Sequence, residues 1–289
     1  TSEDDFTYFT AYKDGKLACR ITAHIHQASN SKFNIQRGYF GYFDLIDDKE
    51  VAEILLKAAE DFLKKRGCNE IIGNFNLTAM QKAGVVTEFY RLDQYTDQII
   101  NPLYVPVLLE KCGYQKTFPM TTFEADLSHI KWDASKGKKA QTISESTDYT
   151  FDQLKSILVI MRVCLNDGMN QNPMFVPLTY EEIYFQAKDL TMILDPALSV
   201  VCRYKGEPIG AIVCVPDLNP MLKKMKSRIG LMTPIYFIQH KLKRERVTLI
   251  FYSVKREFHS QGINSAMMGR FLKSFLERGY SKIGGTWIA

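Results

Sequence analysis

The sequence predicts an α/β protein of the α+β type, with two units that each hold a mixed β-sheet flanked by helices. Three observations predict it. A hydrophobic run at 247–254, a polar glycine turn and an amphipathic run at 265–278 are typical of a strand, a turn and a helix. The order hairpin, strand, helix and strand occurs twice along the chain. Between the two occurrences apolar periodicity vanishes at 128–149, which divides the chain into units of 1–128 and 129–289.

In the first unit, the elements follow from the spacing of apolar residues. Alternating aromatic and polar residues predict strands, and a turn at Asp14-Gly15 joins the first two into a hairpin. Apolar residues at 51–62 recur at helical spacing, and Asp47 and Asp48 are placed to cap that helix. The predicted elements are strands at 6–12, 16–26 and 38–46, a helix at 51–66, a strand at 70–75, a helix at 101–113 and a strand at 117–127.

The second unit repeats this order behind two additional helices. Its predicted elements are helices at 151–165 and 179–188, a hairpin at 199–204 and 208–215, a strand at 247–254, a helix at 265–278 and a strand at 282–288. Two short matches indicate a duplication, because Tyr12-Lys-Asp-Gly resembles Tyr204-Lys-Gly and the helix end at 62–67 resembles that at 275–279. The second unit stops at Ala289, inside or just after its last strand. The sequence therefore leaves open whether the chain is truncated there.

An insertion at 217–246 interrupts the second unit and is rich in basic residues. These residues are Lys223, Lys224, Lys226, Arg228, Lys241, Lys243, Arg244 and Arg246. One interpretation is a solvated basic face. The other is a basic flap that lies near the phosphates of a cofactor or near an acidic substrate.

The stretch 254–264, Val-Lys-Arg-Glu-Phe-His-Ser-Gln-Gly-Ile-Asn, joins a predicted strand to a predicted helix. A helix that begins at such a turn presents unpaired backbone N–H groups and the positive end of its dipole, which suits phosphate. Gly262 has no Cβ and lets a ligand approach the backbone closely. A purely structural glycine would produce the same pattern.

The spacing in this stretch resembles the acetyl-CoA signature of the GNAT N-acetyltransferases, roughly V-x-P-E-Y-R-G-x-G-x-G/A. Val254, Glu257, Gly262 and Ile263 match it, and Phe258 stands in for tyrosine. The departures are Arg256 for proline, His259 for arginine or glutamine, Ser260 for glycine and Asn264 for the last glycine or alanine. The resemblance implies two GNAT-like units, of which only the second carries the cofactor motif.

The resemblance also implies a reaction, the direct transfer of an acyl group from acetyl-CoA or another acyl-CoA to an amine on a small molecule or peptide. The residues it places at the cofactor are Ser253, Val254, Arg256, His259, Ser260, Gln261, Gly262, Ile263, Asn264 and Ser265. Tyr252 lies on the strand beside the expected thioester and is the candidate acid, with cleft packing as the alternative role. Tyr104 and Tyr114 lie in the part of the first unit that corresponds to where the family often places its acid.

The first unit lacks the motif at the equivalent position. Residues 43–50 hold three aspartates and one glutamate and no glycine. Carboxylates at a helix N-terminus stabilise the helix but repel a pyrophosphate. The first unit is therefore expected not to bind acyl-CoA, and to act as a structural partner or as a wall of the substrate cleft.

Bulk properties exclude several other classes. A net charge of +5 is too small to indicate nucleic acid, and no apolar run approaches the ~18 residues of a membrane span. The N-terminus is acidic and has no signal-peptide core, so a cytoplasmic protein is expected. Its six cysteines form no C-x-x-C pair and are expected to be reduced core thiols. His24 and His26 share a strand face without a third ligand at suitable spacing, so no metal is expected.

Two further functions stay open at this point. The first is a non-catalytic acyl-CoA-binding or regulatory protein, which the departures from the signature favour. The second is a tandem GNAT-like transferase that uses aminoacyl-tRNA, against which the weak net charge argues.

Overall fold

A computed structural model describes residues 3–78, 81–96, 98–130, 138–153, 181, 184–185, 193–243 and 245–288. The described residues fall into two compact units, one up to residue 118 and one from residue 119 onwards. Each unit holds a mixed sheet and a hydrophobic core of its own. The predicted α/β class is therefore confirmed.

The sheet of the first unit has four strands in the order β1-β2-β3-β4. The strands are β1 (Phe6–Lys13), β2 (Lys16–Ile25), β3 (Arg37–Leu45) and β4 (Glu70–Ile72). β1 to β3 pair antiparallel, whereas β4 runs parallel to β3. A parallel neighbour needs a crossover connection, and the predicted helix between β3 and β4 supplies it.

The helices of the first unit are α1 (Gln27–Phe33), α2 (Lys49–Lys64) and α3 (Tyr104–Lys111). The Asp48 carboxylate accepts hydrogen bonds from the backbone N–H groups of Glu50 and Val51, at 3.0 and 3.3 Å, which confirms the predicted cap. The apolar stripe of α2 packs on the sheet through Leu55, Leu56 and other residues of the core. α1 was not predicted, because its only buried residue is Ser29.

The sheet of the second unit has six strands in the order β5-β10-β9-β8-β7-β6. These strands are β5 (Thr121–Asp126), β6 (Tyr149–Asp152), β7 (Val200–Tyr204), β8 (Glu207–Pro216), β9 (Arg246–Val254) and β10 (Lys282–Ile288). Its remaining described helices are α4 (Lys138–Glu145), α5 (Asn219–Met225), α6 (Thr233–Leu242) and α7 (Ile263–Glu277). The predicted strand and helix on either side of the motif are confirmed.

Three expectations about the middle of the chain are wrong. β5 pairs with β10, so the strand expected to close the first unit lies in the sheet of the second. The stretch 128–149 contains α4, whose two core residues, Ala140 and Ile143, are too few to produce a visible periodicity. Phe151 lies in β6, where it pairs with β7, and not in a helix. The rest of the helix predicted at 151–165, from residue 154 onwards, and the helix predicted at 179–188 lie outside the described residues, apart from isolated positions.

The two sheets share a local design beyond the order of their elements. In each, the strand that follows the hairpin, β3 in the first unit and β9 in the second, pairs antiparallel on one side and parallel on the other. Both β3 and β9 also carry an extra residue opposite their antiparallel neighbour. Thr22 faces Gly41 and Arg20 faces Asp44 in the first unit, while Ile250 is extra in the second. These β-bulges support the predicted duplication.

The basic insertion forms a helical pair that is anchored at its base. The buried Asp217 carboxylate lies 3.4 Å from the guanidinium Nε of Arg246. The insertion returns to the sheet at the start of β9, whereas the motif at 254–264 begins at its end, about 26 Å along the strand. This arrangement disfavours a basic flap over the phosphates of a cofactor.

His24 and His26 share one face as predicted, but that face is buried. Their ring centroids are 5.1 Å apart, and both rings contact Tyr39 and Phe75. Neither ring nitrogen of His24 has hydrogen-bond geometry to a described residue. Within the described ranges there is no group of three or more side chains that could hold a metal ion.

The cysteines that the structure describes carry free thiols. Cys19, Cys202 and Cys214 are buried, whereas Cys68 and Cys112 are half-buried. Burial raises the pKa of the Cys202 thiol to about 12, so this thiol is protonated at neutral pH. No described helix is long and apolar enough to cross a bilayer.

Candidate functional site

The neighbouring strands β9 and β10 of the second sheet separate near the motif. β9 and β10 pair in parallel only from Arg246 to Leu249 among the described residues. The next residue of β9, Ile250, is the extra residue of the bulge. The bulge thus lies where the parallel pairing stops, and the rest of β9 presents an edge that β10 does not pair with. No glycine or proline in β9 signals this bulge, so the sequence alone could not predict it.

The direction of the backbone groups along this edge follows from the pairing with β8. The Lys255 N–H donates to the Ile209 carbonyl of β8 at 2.8 Å. Successive N–H groups of a strand alternate in direction, so the N–H groups of Val254 and Tyr252 point away from β8, toward the unpaired edge. The Val254 carbonyl also lies on that side, where it contacts His259 Nε2 at 2.8 Å. This edge can therefore pair with an extended ligand.

The loop after β9 turns sharply into α7. A single helical turn at Arg256–Phe258 is followed by Ser260, with a φ of 61°, and Gly262, with a φ of 96°. Both angles lie in the left-handed region that glycine prefers. Ser260 occupies a position where the GNAT signature has glycine. The left-handed backbone conformation at this position explains why the signature has glycine there. α7 then begins at Ile263, and the N–H groups of its first turn have no carbonyl partner within the helix.

A side chain that was not predicted lies against this loop. The Lys139 ammonium of α4 donates to the Ser260 carbonyl at 2.8 Å. A Cβ on Gly262 would approach Lys139 Cβ to 2.7 Å, its carbonyl carbon to 2.8 Å and the Ala140 nitrogen to 3.0 Å. A glycine is thus required at position 262 for two reasons, because α4 packs against it and because its φ is positive. The sequence does not indicate a role for Lys139, because this residue lies in the stretch 128–149, where apolar periodicity is absent.

The other predicted residues occupy distinct positions around the loop. Gln261 accepts a hydrogen bond from the Tyr149 hydroxyl at 3.3 Å, and its own amide donates to the Glu257 carbonyl. The side chains of Asn264 and Ser265 are exposed on the first turn of α7, whereas Ile263 is buried beneath them. The loop therefore combines helix N–H groups, small polar side chains and the cation of Lys139, a donor set that suits an anion.

Tyr252 remains partly accessible at 36% exposure, and it pairs with Ile212 of β8. Partial burial raises the pKa of its phenol above the ordinary value. The hydroxyl is thus protonated at neutral pH and able to donate a proton. Tyr104 and Tyr114 of the first unit are engaged elsewhere, since their hydroxyls donate to the Leu45 carbonyl and the Glu60 carboxylate, each at 2.8 Å.

In the first unit, the corresponding strand edge is occupied by the chain itself. β4 parallels β3 only from Arg37 to Tyr39. Beyond this point the Tyr42 N–H donates to the Asn76 side chain at 2.6 Å, and the Phe75 N–H donates to the Phe40 carbonyl at 2.7 Å. A Cβ on Gly41 would lie 2.1 Å from the Phe75 carbonyl oxygen, which shows how close this segment runs.

A cavity of about 430 Å³ lies beside the occupied edge in the first unit. Amide side chains of Asn74, Asn76 and Asn101 line it, together with apolar residues that include Val85 and Ile99. At its rim the Arg20 guanidinium binds the Asp44 carboxylate. Lys82 also lines the cavity, so its lining carries one cation beyond the pair of Arg20 and Asp44.

Comparisons with known proteins bear on the second unit and on the whole chain. Residues 167–287 match the model of the acetyltransferase (GNAT) family. A protein of Caulobacter vibrioides named bacterial ceramide synthase is 25% identical over 97% of this chain and 76% of its own length. Protein YghO of Escherichia coli K12 is 23% identical, over 76% of this chain and 57% of its own length.

One solved structure has a fold similar to that of the chain by overall superposition. It is the GCN5-related glucosamine N-acetyltransferase region of a fungal multi-domain β-N-acetylglucosaminidase, with a TM-score of 0.53. The sequence identity is 14%, and the match covers 98% of this chain and 30% of that one. At this identity the likeness concerns the fold alone.

Proposed function

We propose that this chain, whose residues 167–287 match the model of the acetyltransferase (GNAT) family, transfers an acyl group from acyl-CoA to an amine. It is an acyltransferase by family, and the acyl donor and acceptor are the proposed part. One observation carries the proposal. The edge of β9 where the N–H groups of Tyr252 and Val254 point away from β8 is not paired with β10, and it runs directly into a loop whose N–H groups suit a pyrophosphate.

In the proposed complex, this chain performs three tasks. The edge at Tyr252 and Val254 binds the pantetheine arm as an added strand, and the Val254 N–H polarises the thioester carbonyl. The first turn of α7 holds the pyrophosphate, with Lys139 as an additional cation. The amine attacks the carbonyl carbon, the C–S bond breaks, and Tyr252 donates its proton to the leaving thiolate while solvent accepts a proton from the amine.

For the acceptor, the name of the Caulobacter vibrioides relative suggests a chemical class. A ceramide is the amide of a fatty acid with a long-chain amino alcohol, so a ceramide synthase acylates such an amine. The match covers 97% of this chain, including both units. We therefore propose a long-chain amino alcohol as the acceptor and a fatty acyl-CoA as the donor, in preference to acetyl-CoA and a water-soluble amine.

A second candidate function is acyl-CoA binding without turnover. The observation that favours it is the departure of the loop from the GNAT signature, with Ser260 in place of glycine at a φ of 61°. Titration of the purified chain with acetyl-CoA and with a long-chain acyl-CoA separates the candidates. Binding followed by thiol release upon addition of a long-chain amine supports the transferase, whereas binding without release supports the second function.

Replacing Asn264 by aspartate tests the phosphate site. We expect acyl-CoA to bind about tenfold more weakly, because the new carboxylate faces the pyrophosphate. The same charge lies at a helix N-terminus, so the free energy of unfolding should rise by about 0.5 kcal/mol. Titration calorimetry and denaturant unfolding measure the two effects. Asn264→Ala, which removes the amide without adding charge, is the control. Equal acyl-CoA affinities of the Asn264→Asp and Asn264→Ala variants would contradict the placement of the pyrophosphate at this helix.

Replacing Tyr252 by phenylalanine tests the proposed acid. We expect kcat to fall about 100-fold with KM little changed, since the ring remains and only the proton donor is lost. Steady-state kinetics with a fatty acyl-CoA and a long-chain amine provide the measurement. A variant with unchanged kcat would show that Tyr252 only packs in the cleft.

A further inference from the structure

The insertion between β8 and β9 exposes an apolar surface that nothing in the described chain covers. We call the segment from α5 to the end of α6 the basic hairpin. In it, Ile229 is 92% and Leu231 99% exposed, and no residue of α6 is buried. A contiguous exposed apolar patch with a polar rim usually marks an interaction surface.

The exposed apolar residues of the basic hairpin recur at a regular spacing in the sequence. Leu231, Ile235, Ile238 and Leu242 follow one another at spacings of four, three and four residues. Residues at these spacings lie on one face of a helix. All four are exposed, so Ile235, Ile238 and Leu242 of α6, together with Leu231 just before the helix, present a continuous apolar stripe to solvent.

Charge surrounds this stripe and has a single sign. Between Asp217 and Glu245 the sequence contains no acidic residue. Cations flank the stripe at both ends, from Lys224 and Arg228 before it to Lys243 after it. Over the whole insertion, residues 217–246, eight basic and two acidic residues give a net charge of +6. The whole chain carries +5, so the residues outside the insertion carry −1. The basic hairpin itself, residues 219–242, holds five basic and no acidic residues, and its net charge of +5 equals that of the whole chain.

We propose that the basic hairpin docks on the surface of an anionic lipid bilayer, with Ile229, Leu231 and the stripe of α6 inserted among the acyl chains. An amphipathic helix with a basic margin lies in the plane of such an interface, and anionic headgroups attract the cations around it. A second copy of the chain is the less suitable occupant, because pairing two such stripes would bring two sets of cations together without acidic partners. The proposal stands independently of the acyl acceptor.

The base of the hairpin fits this role. The buried Asp217 is held by Arg246, and its carboxylate also accepts from the Asn219 N–H at 3.2 Å. Met221 and Met225 on one side of α5 are buried. The hairpin is thus fixed to the sheet at its root while its apolar end projects into solvent.

Sedimentation of the full chain with vesicles tests the proposal. The vesicles are phosphatidylcholine alone, or phosphatidylcholine with one third phosphatidylglycerol. We expect binding to the anionic vesicles, weaker binding at high salt, and a loss of tenfold or more for the double variant Ile229→Ser with Leu231→Ser. Neutralising Lys224 and Arg228 as glutamine should weaken binding about fivefold for each residue. Ile54→Ser, at a 65% exposed isoleucine of α2, should bind like the wild type.

Three outcomes would overturn the proposal. The wild type could leave both kinds of vesicle unbound, or the double variant could bind as well as the wild type. Light scattering could also find a wild-type dimer that the double variant converts to a monomer, with no vesicle binding, which would assign the stripe to a second copy. The substituted residues are exposed, so thermal unfolding should be the same for all variants.

Discussion

Replacing Gly262 by alanine lowers the free energy of unfolding by about 2–4 kcal/mol and weakens acyl-CoA binding by at least tenfold. Two costs combine in this expected result. An alanine at a φ of 96° is strained by about 1 kcal/mol, and its Cβ would overlap Lys139 and the Ala140 nitrogen of α4. The overlap involves backbone atoms, so α4 must move away from the loop and take Lys139 with it. Denaturant unfolding and calorimetric titration measure the two effects.

Gly279→Ala is the matched control for this variant. Gly279 also has a positive φ, of 80°, but a Cβ there would meet nothing within 4 Å. It should cost about 1 kcal/mol and leave acyl-CoA affinity unchanged. If both variants cost the same, the contact between α4 and Gly262 contributes nothing to stability. The structure also shows that any side chain at position 262 disturbs α4, so an aspartate there would not leave the fold intact.

Acidification should destabilise the first unit through His24. Burial and, to a smaller extent, the neighbouring His26 lower the pKa of this imidazole to about 3, and the Leu77 carbonyl offsets part of the effect. As the pH falls below about 6.5, His24 of the unfolded state binds a proton, whereas His24 of the folded state stays neutral until the pH approaches 3. Above pH 6.5, His24 does not reduce the free energy of unfolding. As the pH falls from 6.5 toward 3, His24 lowers the free energy of unfolding by up to about 1.4 kcal/mol per pH unit.

Urea unfolding at a series of pH values measures this slope. His24→Phe provides the control, because phenylalanine retains the contacts with Tyr39 and Phe75 and cannot be protonated. The variant should lose less stability than the wild type between pH 6.5 and pH 4. Parallel pH profiles for the two proteins would show that His24 is protonated at little cost in the folded state.

The sequence predicts most of the second sheet and the loop because strands and helices there have strong apolar periodicity. The strand before Gly262 and the helix after it are predicted nearly to the residue. The cap by Asp48 is predicted for the same kind of reason, since capping depends on residues close in sequence. Such local rules need no knowledge of what packs against the element.

What the sequence does not predict depends on distant pairing. β5 has the pattern of any short strand, and only its partner β10 decides which sheet it joins. α4 is nearly all polar, so its place against Gly262 follows from the two core contacts of Ala140 and Ile143. The bulge at Ile250 has no compositional signal, since register is a property of two strands together.

The Asn76 side chain in the first unit has a consequence for the history and the engineering of this protein. It satisfies the Tyr42 N–H, a group of the strand edge that in the second unit is left for a partner. Grafting a glycine-rich loop onto the start of α2 would therefore create an anion site without an adjoining strand edge. An acyl-CoA site in the first unit would therefore require at least two separate sets of changes, neither useful alone, and single substitutions would not create it.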